Sequence, residues 1–237
     1  MSADLHNFSR SSDSALPRPQ SGQAIAVLGV SAQARSKALR ALAGLTGDEG
    51  TVPTAELGLL CARPRFFSWL SLTENLAFAL PKATPFEREG LIANALVRVG
   101  LAAQAAQRPG TLSLEETLRL AIARLLLVRP RLLLIDEPFA ALDSEARDRL
   151  AAFLPGLCTQ GRPAVVIATG SVEEALRLAD RILLLPQQPG PIAFSLDNLL
   201  ARPRDESSVG FVALRRELRR ALDKESRHVA PEVEAAA

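Results

Sequence analysis

Leu132 to Ile135 are four large apolar residues in a row, followed at once by Asp136 and Glu137. A strand without a polar face is covered on both sides, as in a parallel sheet packed between helices. Ala24 to Leu28, Ala164 to Ala168 and Ile182 to Leu185 have the same character, and Ile192 to Leu196 makes a further short strand. Between these runs the apolar positions change to helical spacing. One helix follows the first strand through Leu39 and Leu42, with Gly44 as its stop. Others are predicted over Phe86 to Leu101 and from Asp143 or Ser144 through Leu150 and Leu154. An arginine-rich helix over Phe211 to Leu222 carries Arg215, Arg216, Arg219 and Arg220 on a face expected to be solvated. Ser113 with Glu116, and Ser171 with Glu174, have the spacing of capping boxes, each marking a helix start. Buried strands alternating with helices predict an α/β fold, a mainly parallel sheet flanked by helices.

Composition narrows this picture. At 237 residues and 48% apolar content, the chain suits one large α/β unit, or one domain with a subdomain, around a substantial core. A formal charge of +2 is near balance and gives no reason to expect a nucleic-acid partner. Two cysteines, Cys61 and Cys158, in a chain this long read as reduced thiols of a cytosolic protein. There is no apolar run of about 18 residues, and the polar amino end lacks a signal core, so membrane attachment is expected to come through another protein. Residues 1–22 are rich in Ser, Pro and charge without periodicity and read as a disordered arm. The only histidines, His6 and His228, lie in the two tails and read as solvated surface.

Two stretches carry candidate chemistry. Ligands of open α/β sheets sit beyond the carboxyl ends of the strands, where Asp136 and Glu137 fall; an acidic pair there holds a metal and orients a water. Between the first strand and its helix lies Gly29 to Lys37, GVSAQARSK. A phosphate-binding loop needs glycines that free backbone N–H groups, then a lysine for the phosphates and a hydroxyl for Mg²⁺. Laid on that pattern, Gly29 and Ser36 match, Ala34 replaces the second glycine and Arg35 replaces the lysine. Ala32 adds a further Cβ, and the planar fork of Arg35 differs in shape from an ammonium. Lys37, two residues along the helix, points to another face.

In order and spacing these stretches resemble ATP-binding cassette (ABC) ATPases. Arg131 to Asp143, RLLLIDEPFAALD, is similar to the family's Walker B strand and D-loop. Gly58 to Leu80 resembles the Q-loop region of the nitrate, sulfonate and taurine importer branch, with Pro64, Arg65, Trp69, Leu70, Glu74 and Asn75 in place. Thr111 to Pro130 resembles the signature helix, and the Arg-Pro-Arg at 202–204 resembles the branch's carboxyl end. The resemblance implies a P-loop NTPase-like sheet, an inserted helical subdomain over about 70–125 and a reduced N-terminal β region. The nucleotide-binding domain would span 23–224, with a disordered tail at 225–237. Phe8 is the one aromatic upstream of the first core strand that is available for adenine, and its surroundings do not read as a strand.

By resemblance, Gly29, Ser31, Ala34, Arg35, Ser36 and Lys37 would bind nucleotide, Ser36 and Asp136 would hold Mg²⁺, and Glu137 would polarise the attacking water. Ser113 of the signature and Asp143 of the D-loop would face an opposite subunit. Four family landmarks are changed, the first being the phosphate loop at Ala34 and Arg35. Ala62 stands for the Q-loop glutamine, Leu114 and Glu115 for the signature glycines, and Gly170 for the switch histidine. A Glu115 or Glu116 carboxylate within about 4 Å of a phosphate oxygen would be repelled by roughly 4 kcal/mol at an effective dielectric near 20.

Two functions follow. By resemblance, the chain would be the ATP-binding subunit of a nitrate/sulfonate/taurine-like importer with weak catalysis, using ATP and Mg²⁺. Alternatively, it is a non-hydrolysing pseudo-ATPase serving as a scaffold or regulatory subunit. Either way the expected partners are a membrane subunit and a second ABC ATPase, in a homodimer or heterodimer, with no nucleic acid. The expected location is cytoplasmic, peripheral to the inner face of the cell membrane.

Overall fold

The computed structural model describes residues 8–9, 19–42, 56–151, 153, 163–186, 192–202 and 204–227. The expectations for Gly44, Leu154, Cys158, His6, His228 and most of the amino arm and tail lie outside them. The chain divides into two compact units, Met1–Thr51 with Val166–Ala237, and Val52–Val165.

The first unit is built on β2 (Ala24–Leu28), whose five residues are all buried. It pairs in parallel with β6 (Arg181–Leu184), with Ala26 opposite Ile182 and Leu28 opposite Leu184. β7 (Phe194–Asp197) runs antiparallel on the far side of β6, and the residues of β5 (Ala164–Thr169) that belong to this unit lie beside β2. Alternation then sorts the side chains by face. Ala26, Leu28, Ile182 and Leu184 meet α6 (Val172–Leu178) and α7 (Val209–Arg227), while Ile25, Leu183 and Ile192 form a cluster on the other face. From α7 the contributions are Phe211, Leu214 and Leu218, one stripe at helical spacing. This helix starts earlier than its apolar pattern because the Ser208 hydroxyl accepts the Phe211 N–H, and it runs on to Arg227 on charged residues.

One expectation is corrected here. Phe8–Ser9 forms a short strand, β1, antiparallel to β7, with Phe8 opposite Leu196. A two-residue pairing made by backbone groups leaves no periodicity to read.

The second unit holds β3 (Leu57–Cys61) and β4 (Leu132–Asp136), parallel, with Cys61 opposite Asp136. It is wider than the helical segment between them, which consists of α2 (Leu72–Ala77), α3 (Pro85–Arg98) and α4 (Leu114–Val128). Each of the three starts with a complete capping box: Ser71 with Glu74, Thr84 with Glu87, and Ser113 with Glu116. Leu72, Leu76, Ile92, Leu96, Leu118 and Ile122 are buried in this segment. Gly58 lets β3 approach the end of α4, since a Cβ there would lie 2.7 Å from Pro130 Cγ and 2.8 Å from Leu125 Cδ2.

Candidate nucleotide-binding site

In the first unit, the loop after β2 enters α1 (Ala32–Leu42) through Ser31, whose hydroxyl accepts the Ala34 N–H at 3.3 Å and whose carbonyl accepts the Arg35 N–H at 3.1 Å. The Ser31 hydroxyl therefore caps the helix. Gly29 sits tightly, a Cβ there falling 3.2 Å from Leu185 Cβ. Ser36 is half-buried and Lys37 exposed, as its displaced helical position predicts. Arg35 is only 6% exposed, and its Nη1 donates to the Gly29 carbonyl. Its guanidinium also lies against Gly170, where the family histidine would stand.

Past β5, Ser171 accepts the Glu174 N–H, but the reciprocal half of the expected capping box is rerouted. Thr169 Oγ1 accepts the Ser171 N–H at 2.9 Å and donates to Glu174 Oε2 at 2.7 Å. The buried Thr169 hydroxyl thus takes the place that the box assigns to the carboxylate.

In the second unit, β4 carries Asp136 to the end of the sheet strand, and Glu137 follows with φ +46°, both half-buried. A left-handed glutamate costs about 1 kcal/mol or more, and such strain clusters at functional positions. The turn beyond it is held by Ala140 N–H on the Glu137 carbonyl and by buried Phe139. Asp143 Oδ1 accepts the Ala146 N–H at 2.8 Å, which makes Asp143 the cap of α5 (Ser144–Ala151). Ala62, directly after Cys61 and also half-buried, offers no polar group at the glutamine position.

The signature segment revises the expectation of a bare carboxylate. Glu115 is bound by Arg149 of α5, Nη2 to Oε2 at 2.8 Å and Nε to Oε1 at 3.2 Å, and by Arg119 one turn on. Its carboxyl titrates below the ordinary glutamate range, first because Arg149 donates to it; burial opposes this, and Arg119 adds to the lowering. The estimated repulsion toward a phosphate is therefore an overestimate, since the charge is already paired. Arg149 lies 34 residues from Glu115, and no local pattern marks that pairing. Ser113 is exposed, with its hydroxyl committed to the capping box, and Leu114 is half-buried behind it.

The segment before α2, with Phe78 at the far end of that helix, presents aromatic surface. Phe67 is 43%, Trp69 66% and Phe78 63% exposed, with Phe67 5.3 Å from Trp69 and 5.0 Å from Phe78 between ring centroids. Asn75 is buried and shapes this loop: Oδ1 accepts the Phe67 N–H at 2.8 Å, while Nδ2 donates to the carbonyls of Phe67 and Ser71. The sequence placed Asn75 in a family pattern without revealing this task.

A parallel strand ending in Asp-Glu, and a strand–loop–helix whose loop borders an arginine, define the class: an α/β protein of the nucleotide-hydrolase type. A sequence model described as ABC transporter matches residues 18–140. The aliphatic sulfonates import ATP-binding protein SsuB 1 of Pseudomonas fluorescens is 42% identical over 208 residues, 86% of this chain and 78% of that protein. SsuB 3 of Nocardia farcinica is 41% identical over 205 residues, covering 85% and 80%. The chain belongs to the ABC transporter family of ATP-binding proteins, on its sulfonate-importer side. The same fold appears in cbiO1 from Clostridium perfringens, part of the ABC transporter complex cbiONQ, at TM-score 0.66 and 21% identity over 89% of each chain. It appears again in an inward-facing metal-chelate type ABC transporter, at TM-score 0.62 and 23% identity over 76% of this chain and 73% of the other.

The family binds ATP with Mg²⁺, and the fit of these residues to that ligand is uneven. Asp136 and the Ser36 hydroxyl are hard oxygen donors of the type Mg²⁺ takes. The loop does not fit as folded, because its one cation at the lysine position is buried on the protein's own carbonyl. No helix of the described residues is long and apolar enough to cross a membrane.

Proposed function

We propose that the chain is the ATP-binding subunit of an importer for sulfonate-class anions, with turnover well below that of relatives whose four landmarks are intact. The observation that carries this reading is about 40% identity to sulfonate import ATP-binding proteins over most of their length. The uninterrupted Asp136 to Asp143 stretch, with Glu137 held in a strained conformation, adds to it. In this reading Ser36 and Asp136 are the Mg²⁺ ligands and Glu137 orients water. Ala62, Leu114, Glu115 and Gly170 are the reasons that turnover is slow. Positioned charge around the transferred phosphate supplies most of the catalysis in this chemistry, and these positions no longer supply it.

The partners in this reading are a membrane subunit, met by the Phe67, Trp69 and Phe78 surface, and a second ATPase subunit facing Ser113 and Asp143. The protein would then be held at the inner face of the membrane through that first partner. The relatives' names support an ATP-binding importer subunit and give no support to a non-hydrolysing scaffold. Phosphate release by the purified protein with MgATP is the test. Slow release that Glu137→Gln abolishes is expected; release at the rate of an intact relative overturns the reading of impaired catalysis.

A further inference from the structure

We infer that Arg35 and Gly170 are a matched pair that closes the phosphate loop from within, so that a nucleotide triphosphate gains the loop only when Arg35 swings out. The pair brings together two of the changes from the family pattern. Arg35 replaces a lysine, Gly170 replaces a histidine, and in the folded unit the two positions touch.

The geometry is that of a plug. The guanidinium is anchored on one side by the hydrogen bond from Nη1 to the Gly29 carbonyl. On the other side, a Cβ at position 170 would stand 3.4 Å from Nη2 and 3.5 Å from both Cζ and Nη1. Three nearly equal distances mean that this Cβ would sit over the face of the planar fork. A methyl there is in ordinary contact, but a side chain continuing in the same direction enters the guanidinium. A histidine at 170 would have to turn its ring away from the arginine as placed or displace it, whereas a lysine, with no fork, leaves that space open.

The plug also competes with phosphate. A buried cation is retained where it is hydrogen-bonded, and one acceptor here is the loop's own first carbonyl. A triphosphate must draw the guanidinium off that acceptor and out of its seat on Gly170. A loop closed nine-tenths of the time weakens apparent affinity about tenfold.

This inference rests on the proposed ATP-binding role, and two readouts keep them apart. Thermal denaturation without nucleotide, and MgATP affinity by calorimetry, are measured for the wild type, Arg35→Lys, Gly170→His and the double variant. Gly170→Ala serves as the tolerated control. Gly170→His is expected to lower Tm by several degrees beside Arg35 and by much less beside lysine, a non-additivity that marks direct contact. Arg35→Lys is expected to tighten MgATP binding about tenfold. Equal Tm losses in both backgrounds overturn the matched pair. Unchanged affinity in a protein that does bind MgATP overturns the closure and leaves the ATP-binding role standing. Coupled Tm values with no MgATP binding by any variant uphold the pair and remove the role. Should histidine at 170 prevent folding in both backgrounds, Gly170→Ser completes the same cycle.

Discussion

Glu137 is where chemistry and strain meet in one residue. Its left-handed backbone is one that glycine adopts at no steric cost, so Glu137→Gly relieves φ strain while giving the unfolded chain more freedom. These effects oppose each other, and the net expected change in stability is between zero and about 1 kcal/mol of gain. If Glu137 orients water as proposed, ATP turnover should meanwhile vanish with its carboxylate. Urea unfolding and phosphate release on the same preparations check the pair of outcomes. A glycine variant that is clearly less stable would mean that the Glu137 side chain has a structural role exceeding its strain. Glu137→Gln keeps side-chain length and should leave stability near wild type while abolishing release.

Two ion-pair clusters tie elements together, and each gives a prediction. Asp180, at the start of β6, accepts the Ala24 N–H of β2 and pairs with Arg202 and Arg204 ahead of α7. Arg204 has a side chain only 2% exposed, so removing its partner leaves a cation in poor solvent. Breaking a fully buried pair costs roughly 3–5 kcal/mol; Asp180 is 36% exposed, so screening reduces the expected loss for Asp180→Ala to about 2 kcal/mol. Burial raises the Asp180 carboxyl, yet the Ala24 N–H and the two arginines outweigh it and hold it below the usual aspartate range. Glu115 is lowered in the same sense by Arg149. A carboxylate with a depressed folded pKa stabilises fully above its unfolded pKa and loses that contribution as pH falls through the folded value. Wild-type stability should therefore drop through the acid side of the carboxylate range, and the drop should shrink in Asp180→Ala. Urea midpoints measured across that range decide it. Glu115→Gly, which restores a signature glycine, should lower Tm by a few degrees in low salt, with the gap narrowing as salt screens the wild-type pairing.

The elements themselves were largely legible. Ala24–Leu28 matches to the residue, Leu132 to Ile135 lies within β4, and the start of α4 was read from the Ser113–Glu116 spacing. Apolar runs and caps are local signals, and local signals survive in a single sequence. The pairing of Phe8–Ser9 with β7, the Thr169 detour at Ser171, and the contacts of Arg149 with Glu115 and Arg35 with Gly170 were not legible. Three of these join backbone groups, or groups far apart in sequence, where no periodicity operates; the Thr169 detour is local, but a hydroxyl two residues before a cap carries no periodic signal. Asp143 is the intermediate case, since its type allowed a cap and only the bond to Ala146 decided between it and Ser144.

For the whole molecule, the proposed function calls for a membrane partner, and the surface proposed to meet it is the aromatic patch of the second unit. Phe67, Trp69 and Phe78 together expose more apolar area than a solitary side chain would, with the Phe67 ring against each of the other two. Asn75 fixes the backbone beneath them from Phe67 to Ser71, so the surface is set before any partner arrives. Buried tryptophans at interfaces commonly contribute 2 kcal/mol or more, about thirtyfold in Kd. Trp69→Ala should then weaken binding to the detergent-solubilised membrane subunit by about that factor. Its Tm should stay at the wild-type value, because the side chain is 66% exposed in the isolated chain and contributes little to its core. Asn75→Ala should weaken the same binding and also lower Tm, since its loss leaves partly buried backbone groups of the loop without their partner. Equal binding by Trp69→Ala and wild type would remove this surface from the interface. A loss of binding confined to Asn75→Ala would assign the loop a folding role alone.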